Sequence, residues 1–381
     1  MKRITFNVND FAPVINKALG IITGGASLNI LNDLFIRSKN GEYAIIRASD
    51  GDAWITQKAA LVKQEDFEEV CFAVNAKDFA SVLNTLSGNV VTIVIDEETS
   101  TLIGSYGNGE FQLPFDDASV YPSPVGGGDE WNRLNISADK ILSAIDNVKF
   151  ATSNSEIHKI LNGIRFNILD SGIETSATDL VMISVYHDTT VDTNDSRGGF
   201  TLPTKAANLL SKMLRDIQDD VTISYNDRVV MFENELFKIV SRLQDGNFPA
   251  CRKVIKRTSK ISVTVCRKDI LNALRRVLPM SDTASQVVKF AFTSELLTIS
   301  SEDVLFSKAA KEKVKCDYKG EPFVIGLKGT LIQTMLSVVG YENIVINLEE
   351  PNVPAIITPE TNEEGIEHTM LLAPIQLFSN V

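Results

Sequence analysis

The stretch Pro203-Thr-Lys-Ala-Ala-Asn-Leu-Leu-Ser-Lys-Met-Leu-Arg-Asp-Ile-Gln218, followed by Val221-Thr-Ile-Ser-Tyr225, reads as a helix running into a strand. Its apolar residues Ala206, Leu209, Leu210, Met213, Leu214 and Ile217 keep the i, i+3, i+4, i+7 rhythm of one helix face, while Lys205, Asn208, Lys212 and Arg215 fall on the other. One side is suited to a core, and the opposite side is polar and mostly basic.

The unit comes three times. Ala76-Lys-Asp-Phe-Ala-Ser-Val-Leu-Asn-Thr-Leu-Ser87 precedes Val91-Thr-Ile-Val-Ile95, and Leu327-Lys-Gly-Thr-Leu-Ile-Gln-Thr-Met-Leu336 precedes Ile344-Val-Ile-Asn-Leu348. Lys77, Lys205 and Lys328 are read as occupying the same place in each copy. A period of roughly 125 residues is far beyond a solenoid unit, so each copy is expected to be a domain with its own core.

Each repeat opens with another amphipathic segment: Asp10 to Ile22 (Phe11, Val14, Ile15, Ala18, Leu19 and Ile22 inward), Ser137 to Phe150 (Ile141, Leu142, Ile145, Val148), and Cys266 to Pro279 (Ile270, Leu271, Leu274, Val277, Leu278). Two helices and about eight short strands per repeat, the strands separated by turns such as Asn40-Gly41, Asp50-Gly51 and Asn108-Gly109, predict an α+β fold built on antiparallel sheets. The Pro- and Gly-rich segment Tyr121-Pro-Ser-Pro-Val-Gly-Gly-Gly-Asp-Glu130 and the basic segment Gly246 to Lys256 read as linkers, which divides the chain into 1–122, 129–249 and 256–381.

The net charge is −12 over 381 residues, which excludes a protein that coats nucleic acid through overall basicity. The distribution says more. The six helices taken as 10–22, 76–87, 137–150, 203–218, 266–279 and 327–340 hold 12 Lys or Arg against 6 Asp or Glu, a surplus of +6 that leaves −18 on the remainder. Basic helix faces in an acidic body, repeated three times, point to a shared anionic partner.

No run of 18 apolar residues exists, and the first residues alternate like a strand, so a cytoplasmic location is expected. Cys71, Cys251, Cys266 and Cys316 are scattered and expected to be free thiols. Asn135-Ile-Ser137 matches a glycosylation acceptor by chance. Nothing is arranged for catalysis. His158, His187 and His368 lie in separate contexts without metal spacing, Gly198-Gly199 fails the phosphate-loop spacing before Lys205, and no nucleophile elbow is present. Asp50, Asp52, Asp179 and Glu302-Asp303 mark matching turns in the three repeats, so they are read as turn chemistry. No metal, cofactor or catalytic residue is expected.

Four segments carry a family resemblance: Leu161-Asn-Gly163, Ala177-Thr-Asp179, Leu243-Gln-Asp-Gly-Asn-Phe-Pro249 and Leu371-Leu-Ala-Pro-Ile-Gln-Leu377. In their order and spacing the chain resembles the bacterial sliding clamp, the β subunit of DNA polymerase III, over essentially its full length. The resemblance implies a head-to-tail homodimeric ring with helices lining a central hole and sheets outside, encircling duplex DNA and tethering the polymerase. On it, Lys77, Lys140, Lys149, Lys205, Lys212, Arg215, Arg267, Lys268, Arg275, Arg276 and Lys328 are candidates to face DNA through sequence-independent phosphate contacts. A cleft for short linear peptides of the polymerase, the clamp loader and repair proteins is implied at Leu161, Thr178, Leu180, Val181, Ile183, Pro249, Val254, Leu371, Leu372, Pro374, Ile375 and Leu377. The subunit interface is implied at Phe111 and Leu113 against Pro279 and Met280.

The chain departs from the family pattern. Leu180-Val-Met182 stands where Gly followed by His or Arg is usual, Ala373 and Gln376 replace a Met and an Arg, Phe378 to Val381 extend the end, and the loop Thr23 to Leu28 lacks the usual arginine. A more apolar, less basic cleft is expected, with Phe378 covering one edge. The alternative reading is a three-domain peptide-binding scaffold without DNA function.

Overall fold

The computed structural model describes residues 2–22, 28–39, 41–65, 69–126, 130–194, 196–255 and 259–377. Most of the loop from Thr23 and the whole tail from Phe378 therefore lie outside the described residues.

Among these residues seven helices follow one another: α1 (Val8–Ala18), α2 (Ala76–Thr85), α3 (Ala138–Asp146), α4 (Thr204–Leu214), α5 (Cys251–Val254), α6 (Arg267–Val277) and α7 (Gly329–Val338). Six are the expected ones, each ending sooner than its periodicity suggested. In α1 the Asn7 side chain accepts from the Asn9 N–H at 2.9 Å and starts the helix at Val8. The helix stops at Ala18, and the following turn buries Ile21 and leaves Leu19 and Ile22 only half covered. In α4 the residues Ala206, Leu209, Leu210, Met213 and Leu214 are buried as expected, and Ile217, beyond the last turn, is half-buried. The short α5 was not anticipated, because its four residues are too few to show a helical period.

The chain forms two compact units, residues 1–139 with 205–243 and residues 140–204 with 244–381. Among the described residues each contains one continuous sheet, of thirteen strands in the first and twelve in the second, and every pairing is antiparallel. The α+β reading holds.

Register shows the repeats to be structurally equivalent. Ile4, Leu134 and Val263, each three residues before the residue that precedes its helix, pair with Ile93, Ile223 and Ile346. Those pair with Gly104, Phe232 and Ile357, which pair in turn with Phe111, Ile239 and Met370. By the same registers Lys328, which faces Val287, corresponds to Asn75 and Pro203, which face Asp33 and Gly163. Lys328 is therefore the residue before its helix, and Thr330 holds the place of Lys77 and Lys205. The matched letter in the sequence was two positions out of register.

In the first unit, Phe237–Arg242 of the middle repeat pairs with Ala53–Ala60 of the first, with Ile239 opposite Ile55 and Val240 opposite Trp54. In the second unit, Ile366–Leu372 of the last repeat pairs with Met182–Asp188 of the middle one, with Leu371 opposite Ile183. The equivalent strands for a third such junction are Gly109–Asp116 and Lys308–Asp317. Each is paired along its length to its hairpin partner, but on its other side only Phe115 and Asp116, or Cys316 and Asp317, find a strand. Among the described residues, 109–114 and 308–315 are open edges.

Candidate functional site

The cleft residues all belong to the second unit, and the hairpin tip Asp179–Met182 organises them. The Asp179 carboxylate accepts from the N–H groups of Val181 (2.9 Å) and Met182 (2.7 Å). Thr178 Oγ1 accepts from Leu180 N–H at 3.0 Å and donates to the Met182 carbonyl at 2.7 Å. These bonds hold Leu180 at φ +74°, left-handed backbone that a branched side chain enters at a cost of about 1 kcal/mol. Its side chain is 63% exposed, beside Val181 at 41%. A strained residue presenting an apolar group to solvent is the mark of a contact surface rather than a core.

Behind the tip, Ile183, Val185, Leu371 and the buried Cys251 of α5 form one apolar cluster, against which Phe248, Ile255 and Ile356 pack. Cys251 N–H donates to the Pro249 carbonyl (2.9 Å), which turns the chain into α5 and leaves Val254 on the surface, 55% exposed. Leu161 and Thr178 are buried. Leu372 points the other way from Leu371, as strand alternation requires, and with Met370 it is fully buried in the core. The tail crosses at Gly326: Ile375 N–H donates to its carbonyl at 2.8 Å, and a Cβ there would sit 2.5 Å from the Ile375 carbonyl oxygen and 2.8 Å from Leu377 Cδ2. Gly326 thus lets Pro374, Ile375 and Leu377 lie half-buried along the strand Phe323–Lys328. Leu180, Val181 and Val254 are exposed, while Ile183 and Leu371 are buried in the cluster that also holds Cys251 of α5.

Sequence reasoning missed Phe248, Ile255 and Ile356, and also Arg252. An open cavity of about 280 Å³ lies against α5, lined by Val185, Ile255, Ile356, Thr358 and Thr369 with Arg252 and Glu367 at its polar end. Arg252 bonds Glu174 (2.5 Å), Glu367 (2.8 Å) and His187 Nδ1 (3.3 Å). Burial alone would lower this guanidinium, and the two carboxylates outweigh it and raise it. Below the sheet, His368 Nε2 lies 2.9 Å from Ser184 Oγ and Nδ1 lies 2.9 Å from Tyr341 Oη. Full burial pushes its pKa down to about 4, so the ring is neutral.

The basic candidates divide by what they touch. Lys77, Lys205, Lys212, Lys268 and Arg275 are on exposed helix positions, and Arg215 is exposed in the turn just after α4. Lys205 pairs with Asp50. Burial tends to raise the Asp50 carboxyl, but the Lys205 ammonium and the N–H groups of Ala53 and Asp52 bring it below its ordinary value. Lys140 Nζ donates to the Thr190 carbonyl at 3.0 Å, Lys149 pairs with Asp146 at 2.6 Å, and Arg276 grips Glu312 through two bonds of 2.8 and 3.2 Å. Arg267 donates to the carbonyls of Tyr341 (2.6 Å) and Leu336 (2.7 Å), which satisfies the C-terminal end of α7. Lys328 is half-buried.

Of the interface candidates, Phe111 and Leu113 are half-buried on an open edge, and the Phe111 ring covers Gly104, where a Cβ would lie 2.1 Å from it. Pro279 and Met280 are exposed in the turn after α6. Among the described residues no group of three His, Cys, Asp or Glu could hold a metal, and no helix is long and apolar enough to cross a membrane. All four cysteines are free thiols.

The repeated antiparallel sheets and their paired helices define a three-domain α+β protein of the clamp class. Family models of the DNA polymerase III beta subunit match the chain in three stretches, the N-terminal domain over 2–124, the central domain over 135–250 and the C-terminal domain over 252–373. The chain belongs to this family of replication sliding clamps. It is 24% identical to the beta sliding clamp of Staphylococcus epidermidis and 23% identical to that of Staphylococcus aureus, covering 99% of this chain and all of each relative. Among solved structures, a sliding clamp of Bartonella birtlesii bound to griselimycin superposes with TM-score 0.90 at 24% identity, and one of Bacillus subtilis with 0.88 at 22%, each over 99% of this chain and all of the other.

Proposed function

We propose that this chain acts as a homodimeric DNA sliding clamp, a non-catalytic ring of six domains in the cytoplasm that encircles duplex DNA and tethers the replicative polymerase. The domains are 1–122, 129–249 and 256–381. The carrying observation is the pair of open edges. Two equivalent junctions are formed within the chain, and among the described residues the strands for the third, 109–114 and 308–315, each have one edge unpaired. A second copy supplies each with its mate head to tail, and a closed ring leaves neither edge exposed. Their charges fit: Lys308, Lys311, Lys313 and Lys315 outnumber Glu312 and Asp317 on one, and Glu110 and Asp116 lie on the other.

Retention by topology needs no base contact and permits sliding, so diffuse contacts from Lys77, Lys205, Lys212, Arg215, Lys268 and Arg275 to phosphates suffice. The exposed Leu180, Val181 and Val254 take short apolar peptides of the polymerase, the clamp loader and repair proteins. The test is retention on DNA by the dimer. A clamp loaded on circular DNA stays bound in high salt and is lost when the circle is cut. Equal loss from circular and linear DNA, with peptide binding intact, would instead favour the scaffold without DNA function.

A further inference from the structure

The three equivalent hairpin tips differ sharply in chemistry. With loops of equal length, Ser49 opposite Trp54, Thr178 opposite Ile183 and Asp303 opposite Lys308, the tips are Asp50-Gly51-Asp52, Asp179-Leu180-Val181 and Val304-Leu305-Phe306. The third is wholly apolar and 70%, 87% and 68% exposed. It is a built turn: Phe306 N–H donates to the Asp303 carboxylate at 3.2 Å, and Lys308 Nζ lies 5.2 Å from the centre of the Phe306 ring. Three consecutive large apolar groups in water are a liability unless another surface covers them.

The other two tips show what a tip meets. At each internal junction the incoming strand donates a backbone N–H to the tip's last carbonyl, Arg242 to Asp52 at 2.9 Å and Ala373 to Val181 at 2.8 Å. The equivalent donor for Phe306 is residue 114, three beyond Phe111 as Arg242 is beyond Ile239 and Ala373 beyond Met370. That residue is Pro114. Phe115 N–H turns inward to the Ser100 carbonyl (3.1 Å), so the nitrogen of residue 114 faces the open edge, and it carries no hydrogen. The closing hydrogen bond of the first two junctions cannot form in the third.

We infer that the apolar tip Val304-Leu305-Phe306 of one copy packs against Pro114 and Phe115 of a second copy, so that apolar burial closes the junction where the backbone bond is missing. The occupant is a second copy because the tip continues the open edge 308–315, whose lysines complement the acidic strand that ends beside Pro114. This rests on the homodimer reading above.

The experiment measures self-association of the full chain by sedimentation. The double variant Leu305→Asp, Phe306→Asp should weaken the dimer by about tenfold or more, as loss of a central apolar anchor does. Pro114→Ala, which restores the donor, should tighten it. A photo-crosslinking amino acid at position 305 should label residues 109–121 of the other copy. A wild-type chain that stays monomeric at micromolar concentration sinks the homodimer reading and this inference together. A wild-type dimer whose affinity is unmoved by the double variant, or whose crosslinks fall on an added peptide or elsewhere on the chain, overturns the tip's role and leaves the homodimer standing.

Discussion

The N–H of Ala373 donates to the carbonyl of Val181 at 2.8 Å, and through that bond the last strand of the chain is tied to the tip on which Leu180 stands. An exposed apolar side chain and backbone strain meet at one residue. Leu180→Gly should relieve the left-handed backbone and stabilise the fold by about 1 kcal/mol or less, while removing the exposed side chain. Thermal unfolding should rise slightly as affinity for apolar peptides, read by fluorescence anisotropy, falls several-fold. Unchanged peptide affinity would remove Leu180 from the docking surface.

Gly326 should be the position at which the tail can be detached. Gly326→Val places side-chain carbon where the Ile375 carbonyl and Leu377 lie, so residues 375–377 must lift from their strand. Ile325 and Leu327 keep their buried places. Hydrogen exchange should quicken at Ile375, and peptide affinity should drop without loss of the strand core.

Arg267 and Lys268 are adjacent but should behave differently. Arg267→Ala leaves the Leu336 carbonyl in the last turn of α7 and the Tyr341 carbonyl beyond it without their charged donor, a loss of about 2 kcal/mol in denaturant unfolding. Lys268→Ala, on the exposed face, should leave stability unchanged. With Lys212→Ala and Arg275→Ala it should lower the salt dependence of DNA binding by about one unit of slope for each phosphate contact removed. An unchanged slope counts against the helix faces as the DNA contact.

His368 makes stability depend on pH in a defined window. Its neutral form is held in the fold down to about pH 4, whereas the unfolded chain takes up the proton near the ordinary histidine value of 6.5. The unfolded state therefore binds more protons between those values, and stability falls as pH drops from 6.5 towards 4, by about 3 kcal/mol at most. His368→Asn should flatten this part of the curve in denaturant titrations at pH 7, 5.5 and 4.5. Parallel curves for the two proteins would show that the Ser184–His368–Tyr341 network is not the source.

The helices and the α+β class were legible because their signals are local. The stripe of α4 depends on 3.6-residue spacing alone, and five of its buried residues followed from it, while the small Ala207 and Ser211 are buried as well. The helix ends were not legible, because a cap such as Asn7 overrides periodicity within one turn. For the cleft candidates the sequence offered only the family resemblance. Cluster members Ile356 and Ile183 are far apart in sequence, and Leu371 differs from Leu372 only by strand register. Likewise the engagement of Arg267 with α7 and of Arg276 with Glu312 depends on helix phase and tertiary neighbours, which the letters Arg-Lys-Asp and Arg-Arg do not carry.

The lysine-rich strand also bears on the time before a partner is found. In a lone chain the open edges 109–114 and 308–315 are each a template on which further chains could stack without end. Lys308, Lys311, Lys313 and Lys315 make the strand repel an identical copy of itself, and the proline at 114 takes one donor from the other edge. Each edge is thus a poor match for its own kind, which disfavours the stacking of identical edges on one another.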